Sequence, residues 1–140
     1  MDKNDIKMKE ETKLEGIKVL IVDDSSTIRR SAEIFLSDTG CKVITAENGF
    51  DAMAKIVDNH PNIIFVDIVM PRLDGYQACQ MIKKNSNYHS TPVIMLSSKD
   101  GLFDKAKGRM AGSDEYLTKP FTKEVLLNVI QKHALQINNK

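Results

Sequence analysis

Apolar residues follow two rhythms along this chain. In one they form short runs: Val19 to Val22, Ile63 to Val66 and Val93 to Leu96. Such runs, rich in β-branched residues and without polar alternation, fit strands buried on both faces. They predict strands at 18–22, 63–67 and 91–97; Lys42 to Ala46 reads as a short second strand, and a mixed fifth runs from Asp114 to Lys119 before Pro120. In the other rhythm apolar residues recur three and four positions apart, as on one face of a helix.

Five helices fill the gaps. The first is capped by Ser25 or Ser26, carries Ile28, Ala32, Phe35 and Leu36 inward with Arg29, Arg30 and Glu33 largely on the other side, and is closed by Gly40. Asn48-Gly49 turns the chain into a second helix with Ala52, Met53, Ile56 and Val57, ended by His60-Pro61. Asp74-Gly75 starts a third, with Ala78, Met81 and Ile82. A weaker fourth spans about 101–111 through Leu102, Phe103, Ala106 and Met110. Gly108 inside it costs roughly 1 kcal/mol relative to Ala. The fifth starts at Thr122 and runs through Val125, Leu126, Val129, Ile130 and His133. Strands alternating with helices predict an α/β domain: a parallel sheet with helices on both faces. Residues 1–15 read as a flexible lead-in, 16–137 as the domain and 138–140 as a frayed tail.

Composition narrows the picture. The 140 residues suffice for one domain with a core. A net charge of +1 argues against a nucleic-acid partner. No apolar run reaches the roughly 20 residues of a membrane helix, so no membrane insertion is expected. The polar start has no signal-peptide core, so a cytoplasmic protein is expected. Cys41 and Cys79 read as reduced thiols, and His60, His89 and His133 share no metal-ligand spacing.

Candidate chemistry lies where the strands end, because ligands of such folds bind at the carboxyl edge of the sheet. The residues there are Asp23-Asp24, Asp67, Ser97 and Lys119. Each alone is unremarkable, as a capping acid, a turn residue or a solvated lysine. Together they put three carboxylates at one edge. Two charges about 5 Å apart at an effective dielectric near 20 repel by roughly 3 kcal/mol. Protonation, Lys119 or a hard divalent cation would relieve this, and oxygen ligands suit Mg²⁺ or Mn²⁺.

This constellation resembles the receiver domain of bacterial two-component response regulators, over about residues 16–136. The resemblance rests on the acidic pair after the first strand, Asp67 after the third, Met70-Pro71-Arg72-Leu73-Asp74-Gly75, Ser97 after the fourth, and Lys119-Pro120-Phe121 after the fifth. Within the family, CKVITAENGFDA, HPNIIFVDIVMPRLDGYQ and STPVIMLSSKDGLFDKAKGRMAGSDEYLTKPF resemble the stand-alone regulators of type IV pilus twitching motility.

The resemblance implies a flavodoxin-like, CheY-like sheet in the order 2-1-3-4-5. It implies that Asp67 is the phosphoacceptor and that Asp23, Asp24, Asp67 and the Val69 carbonyl hold Mg²⁺. Lys119 and Ser97 would contact the phosphoryl group, Ser97 and Tyr116 would form the switch, and Val69 and Lys99 would tune phosphoryl lifetime. The expected protein is a signalling phosphoacceptor rather than an ordinary enzyme, with self-phosphorylation and autodephosphorylation chemistry. Its partners would be a histidine kinase or histidine-phosphotransfer domain, docking near Thr27, Ile28 and Arg30 of the first helix, and a downstream protein of the pilus machinery. The chain would be a monomer or weak dimer. No DNA-binding domain follows the last helix, so output is expected through the fourth helix, fifth strand and fifth helix. A phosphate sink and an unphosphorylated binding module are the alternatives. A phosphatase of the haloacid dehalogenase kind would place its acids as Asp-x-Asp on one strand, which Asp23-Asp24 does not match. A flavodoxin would not set two acids in its phosphate loop.

Overall fold

The computed structural model describes residues 14–98 and 102–138, except the side chains of 102, 103 and 135–138. Its elements alternate without exception: β1 (Lys18–Val22), α1 (Ser26–Leu36), β2 (Lys42–Ala46), α2 (Gly49–Asn59), β3 (Ile63–Asp67), α3 (Gly75–Lys84), β4 (Val93–Ser97), α4 (Leu102–Met110), β5 (Glu115–Thr118) and α5 (Lys123–Asn138). The five strands form one parallel sheet in the order β2-β1-β3-β4-β5, as expected.

Strand periodicity divides the core in two. Val19, Ile21, Ile63 and Phe65 point to one face, under Leu36 of α1 and Leu126 and Ile130 of α5. Leu20, Val22, Ile64 and Val66 point to the other, under Ile56 of α2 and Cys79 and Ile82 of α3. Every residue of β3 and β4 is buried, which is why those runs carry no polar alternation. From β1 the chain turns to one side to lay down β2, then returns past β1 to lay down β3 on the other. The crevice that this reversal opens lies at the carboxyl ends of β1 and β3.

Several boundaries and faces differ from the expectation. Gly40 does not cap α1, which ends at Leu36 with Ser37 still right-handed; Gly40, at φ +84°, makes the later bend into β2. Asn48-Gly49 is a helix start, with the Asn48 side chain accepting the Asp51 N–H. β4 begins at Val93 and β5 spans only Glu115–Thr118. Asp114 lies just outside β5 and clamps the sheet edge: its Oδ2 accepts from Val93 N at 2.8 Å and from Lys83 Nζ at 2.7 Å. Leu14, placed in the lead-in, is 1% exposed and packs in the core, so the packed body includes it. Residues 1–13, 99–101 (Lys99 and Gly101 among them) and the last two residues lie outside the described ones.

The apolar pattern misjudged one or more positions on four helices. Val57, Met81, Ala106, Met110 and Val125 are exposed. On α3, Cys79 takes the inward place expected of Met81, and burial pushes its thiol up to about 11. On α4 the inward position is Gly108: a Cβ there would lie 3.2 Å from Ser113 Oγ and 3.5 Å from Met95 Cγ. A glycine lets α4 approach β4 closely, where a search for large apolar residues finds nothing.

Candidate functional site

Asp23 directly follows β1, and its N–H still pairs with the Ala46 carbonyl at 3.1 Å. The side chain is fully buried. Its Oδ1 accepts the Ser25 N–H at 2.9 Å and its Oδ2 accepts from Lys119 Nζ at 3.0 Å. Arg29, one turn into α1, reaches back so that its Nη1 donates to the Asp23 carbonyl at 2.7 Å. The pattern of α1 placed Arg29 on the solvent side, and its length is what returns it to the strand end. Asp24, the next residue, is exposed.

Asp67 is the last residue of β3 and is buried. Its Oδ1 accepts the Val69 N–H at 3.2 Å and lies 3.2 Å from Lys119 Nζ. The chain beyond it is held at both ends. Ile68 N donates to Leu96 O, and Gly75 N donates to Ile68 O, both at 2.9 Å. Asp74 and Gln77 then form a capping box that starts α3. Gly75 is obligatory, since a Cβ there would overlap the Asp67 carbonyl oxygen and sit 2.8 Å from Ile68 Cα. Val69 is 75% exposed, at the mouth of the crevice.

Lys119 follows β5, and its N–H donates to the Ser97 carbonyl at 2.6 Å. That bond ties the ends of β4 and β5 together and brings Lys119 and the buried Ser97 to the same edge as the acids. Tyr116 sits three residues earlier, half-buried against the core on the α2 and α3 side, with Lys105 Nζ 5.7 Å from its ring centre. The structure thus gathers Asp23, Asp24, Asp67, Ser97 and Lys119 at one edge and places Tyr116 on the strand leading to it.

The electrostatics follow from burial. Desolvation, then the charge of Asp23, lifts the Asp67 carboxyl to about 6, although Lys119 and the Val69 N–H pull it down. Burial pulls the Lys119 ammonium down, but its bonds to Asp23 and Asp67 outweigh that and leave it raised. The repulsion expected among the acids is therefore relieved by Lys119 and, below about pH 6, by protonation of Asp67.

Asp23, Asp24 and Asp67 each offer a carboxylate oxygen, all within 4.8 Å of one another. Two oxygens about 2.1 Å from a single Mg²⁺ stand at most about 4.2 Å apart. The cluster therefore suits a small hard cation after sub-ångström side-chain adjustment, or with water completing the shell. The donor set is all oxygen and one acid is exposed, which provides an entry path.

Comparison with known proteins agrees with this geometry. The response regulator receiver domain model matches residues 19–131. Protein PilG of Pseudomonas aeruginosa is 69% identical over 124 residues, which cover 89% of this chain and 92% of that protein. The probable transcriptional regulator ycf27 of Porphyridium aerugineum is 39% identical over 78% of this chain, which spans only 44% of that longer protein. Among solved structures, the chemotaxis protein CheY4 of Vibrio cholerae superposes with a TM-score of 0.80 at 35% identity, covering 84% of this chain and 98% of that one. Among the described residues no helix is long and apolar enough to cross a membrane. With its sheet order, its edge of acids facing a lysine and these relatives, the chain belongs to the response regulator receiver domain family.

Proposed function

We propose that the chain is a response regulator that accepts a phosphoryl group on Asp67 and signals by docking to a partner protein. The observation that carries this reading is the setting of Asp67: a buried carboxylate at the end of β3, with Oδ1 held by the Val69 N–H and Lys119. With Oδ1 so held, Oδ2 is the attacking oxygen. It forms a bond to phosphorus as the bond from phosphorus to a ring nitrogen of the donor's phosphoimidazolium breaks; that nitrogen keeps the electron pair, the other keeps its proton, and the products are an acyl phosphate and a neutral imidazole. Asp23, Asp24, Asp67 and the Val69 carbonyl would hold Mg²⁺. When bound, that ion offsets the negative charge of the incoming phosphoryl group.

Lys119 then exchanges a carboxylate partner for a phosphoryl oxygen, and the Ser97 hydroxyl donates to another. Drawing Ser97 inward makes room for the Tyr116 ring to follow. The donor is a phosphohistidine on a kinase or phosphotransfer domain. The likeness to the pilus regulators, with 69% identity to PilG, supports control of type IV pilus twitching motility as the output.

Intact-protein mass after incubation with acetyl phosphate and Mg²⁺ tests the first step. One phosphoryl adduct is expected, lost on chelation and in Asp67→Asn. If the small donor gives no adduct, a phosphorylated histidine-phosphotransfer domain is tried. Failure with both donors, or an adduct that survives in Asp67→Asn, would overturn the assignment.

A further inference from the structure

Helix α2 reads GFDAMAKIVDN, and its successive side chains project about 100° apart. Gly49, Ala52 and Ile56 are buried against the sheet. The apolar arc does not stop there. Met53 is half-buried at its margin, and Val57, Phe50 and Ala54 extend the arc by about another 100° into solvent. Phe50 is 60% and Val57 59% exposed. Single exposed apolar residues are ordinary. These four stand at i, i+3, i+4 and i+7, the spacing with which one helix receives another.

The rim is acidic. Asp51 and Asp58 flank the arc one position beyond Phe50 and Val57, and Glu47 precedes the helix. The one base on α2, Lys55, is turned away, with Nζ 3.1 Å from the Thr45 carbonyl. A second copy laid on this strip would set acids near acids.

We propose that α2 docks an amphipathic helix of a partner protein, its apolar face flanked by Lys or Arg. This surface is separate from α4, β5 and α5. It abuts the Asp67 loop, because a Cβ on Gly49 would lie 2.5 Å from Leu73 Cδ2. It does not require the phosphoryl group.

The test titrates the full chain with two designed peptides of about five helical turns. Both carry the same leucine face, flanked in one by Lys and Arg and in the other by Glu; amide shifts are followed by NMR. The basic-flanked peptide should bind at least about tenfold more tightly, shift amides of 47–58, and bind Asp67→Asn equally well. Phe50→Glu, checked for an unchanged melt, should weaken binding about tenfold. The double variant Asp51→Lys, Asp58→Lys should reverse the order of the peptides. Equal affinities, no binding at about millimolar peptide, or shifts confined to other elements would overturn the proposal. So would a concentration-dependent dimer of the chain that Phe50→Glu abolishes, which would make a second copy the occupant.

Discussion

The Lys119 ammonium lies 3.2 Å from Asp67 Oδ1, joining the ends of two strands that are not neighbours in the sheet. The same ammonium is 3.0 Å from Asp23 Oδ2, so one cation serves two buried acids. That sharing sets the behaviour of the metal-free protein.

Asp67 has a carboxyl raised to about 6, against an ordinary value near 3.8. The folded state therefore holds a proton that the unfolded state has already lost between about pH 4 and 6. Stability falls as pH rises through that window, by about 3 kcal/mol in all, and levels off above it. In Asp67→Asn this titration is absent. In chelator, that variant should be the more stable protein at pH 8, by about 2 kcal/mol, with a flatter profile from pH 4 to 6. Urea melts at pH 4, 6 and 8 would show it. An unchanged slope would mean that another group titrates.

Lys119→Ala removes the shared cation and leaves two buried carboxylates facing each other. Loss of one partner from a buried ion pair costs about 3–5 kcal/mol, less whatever protonation of Asp67 recovers. The metal-free variant should therefore be destabilised by about 3 kcal/mol at pH 8 and by less at pH 5. Mg²⁺ should restore much of the loss and bind no more weakly than to the parent, since its cationic competitor is gone. Calorimetric titration with Mg²⁺ decides this, and a matching fall in metal affinity would show that Lys119 shapes the metal site.

Gly75 bears on the phosphorylation proposed for Asp67 through the backbone. An added Cβ would meet the backbone of Asp67 and Ile68, so no rotamer change relieves the overlap. Gly75→Ala should lower stability by about 2–3 kcal/mol and reduce the phosphoryl adduct out of proportion to the folded fraction. Adduct mass measured beside a thermal melt separates the two effects. A stable variant that labels normally would show that the loop can give way.

Some of this was legible in the chain. A charge closing an apolar run is hard to explain except at a sheet edge, which is how Asp67 and the Asp23 pair stand out. Lys119 could be placed because Pro120 ends its strand. The faces of the helices were less legible. Met81 and Met110 have the right period for burial, yet Cys79 and Gly108 fit the narrow space against the sheet. Close approach selects small residues, and a pattern search weighted towards large ones passes over them. Arg29 was misplaced because its helix position says where the Cα lies and not how far the side chain reaches.

Gly108 offers a quantitative check on that point. Gly108→Ala gains up to about 1 kcal/mol of helix propensity, but its methyl would press on Ser113 Oγ at 3.2 Å. The single variant should be close to neutral. Adding Ser113→Ala removes the oxygen while keeping the backbone bond from Ser113 N to the Gly108 carbonyl. The double variant should then exceed Ser113→Ala alone by about 0.5–1 kcal/mol. Denaturation midpoints of the four proteins form the cycle, and strict additivity would mean that Ser113 is not the limiting contact.

Tyr76 follows Gly75 and joins the Asp67 loop to α4. Its ring is buried, its hydroxyl donates to the Asp104 carbonyl at 3.4 Å, and Lys107 Nζ stands 4.7 Å from the ring centre. Burial, then the charge of Asp104, pushes the phenol up to about 12, so it stays a neutral donor throughout the working pH range. The hydroxyl bond is long, whereas the ring supplies packing and the cation contact together. Tyr76→Phe should therefore change stability by less than about 1 kcal/mol. Tyr76→Ala should cost about 3 kcal/mol or more and release α4 first, because that helix contains Gly108 and carries Ala106 and Met110 outward. Amide exchange resolved by helix provides the readout. Faster exchange confined to α4 in Tyr76→Ala, with α2 and α5 unchanged, would identify Tyr76 as the residue that holds α4 against the Asp67 loop. A uniform acceleration across the helices would assign it to general core packing instead.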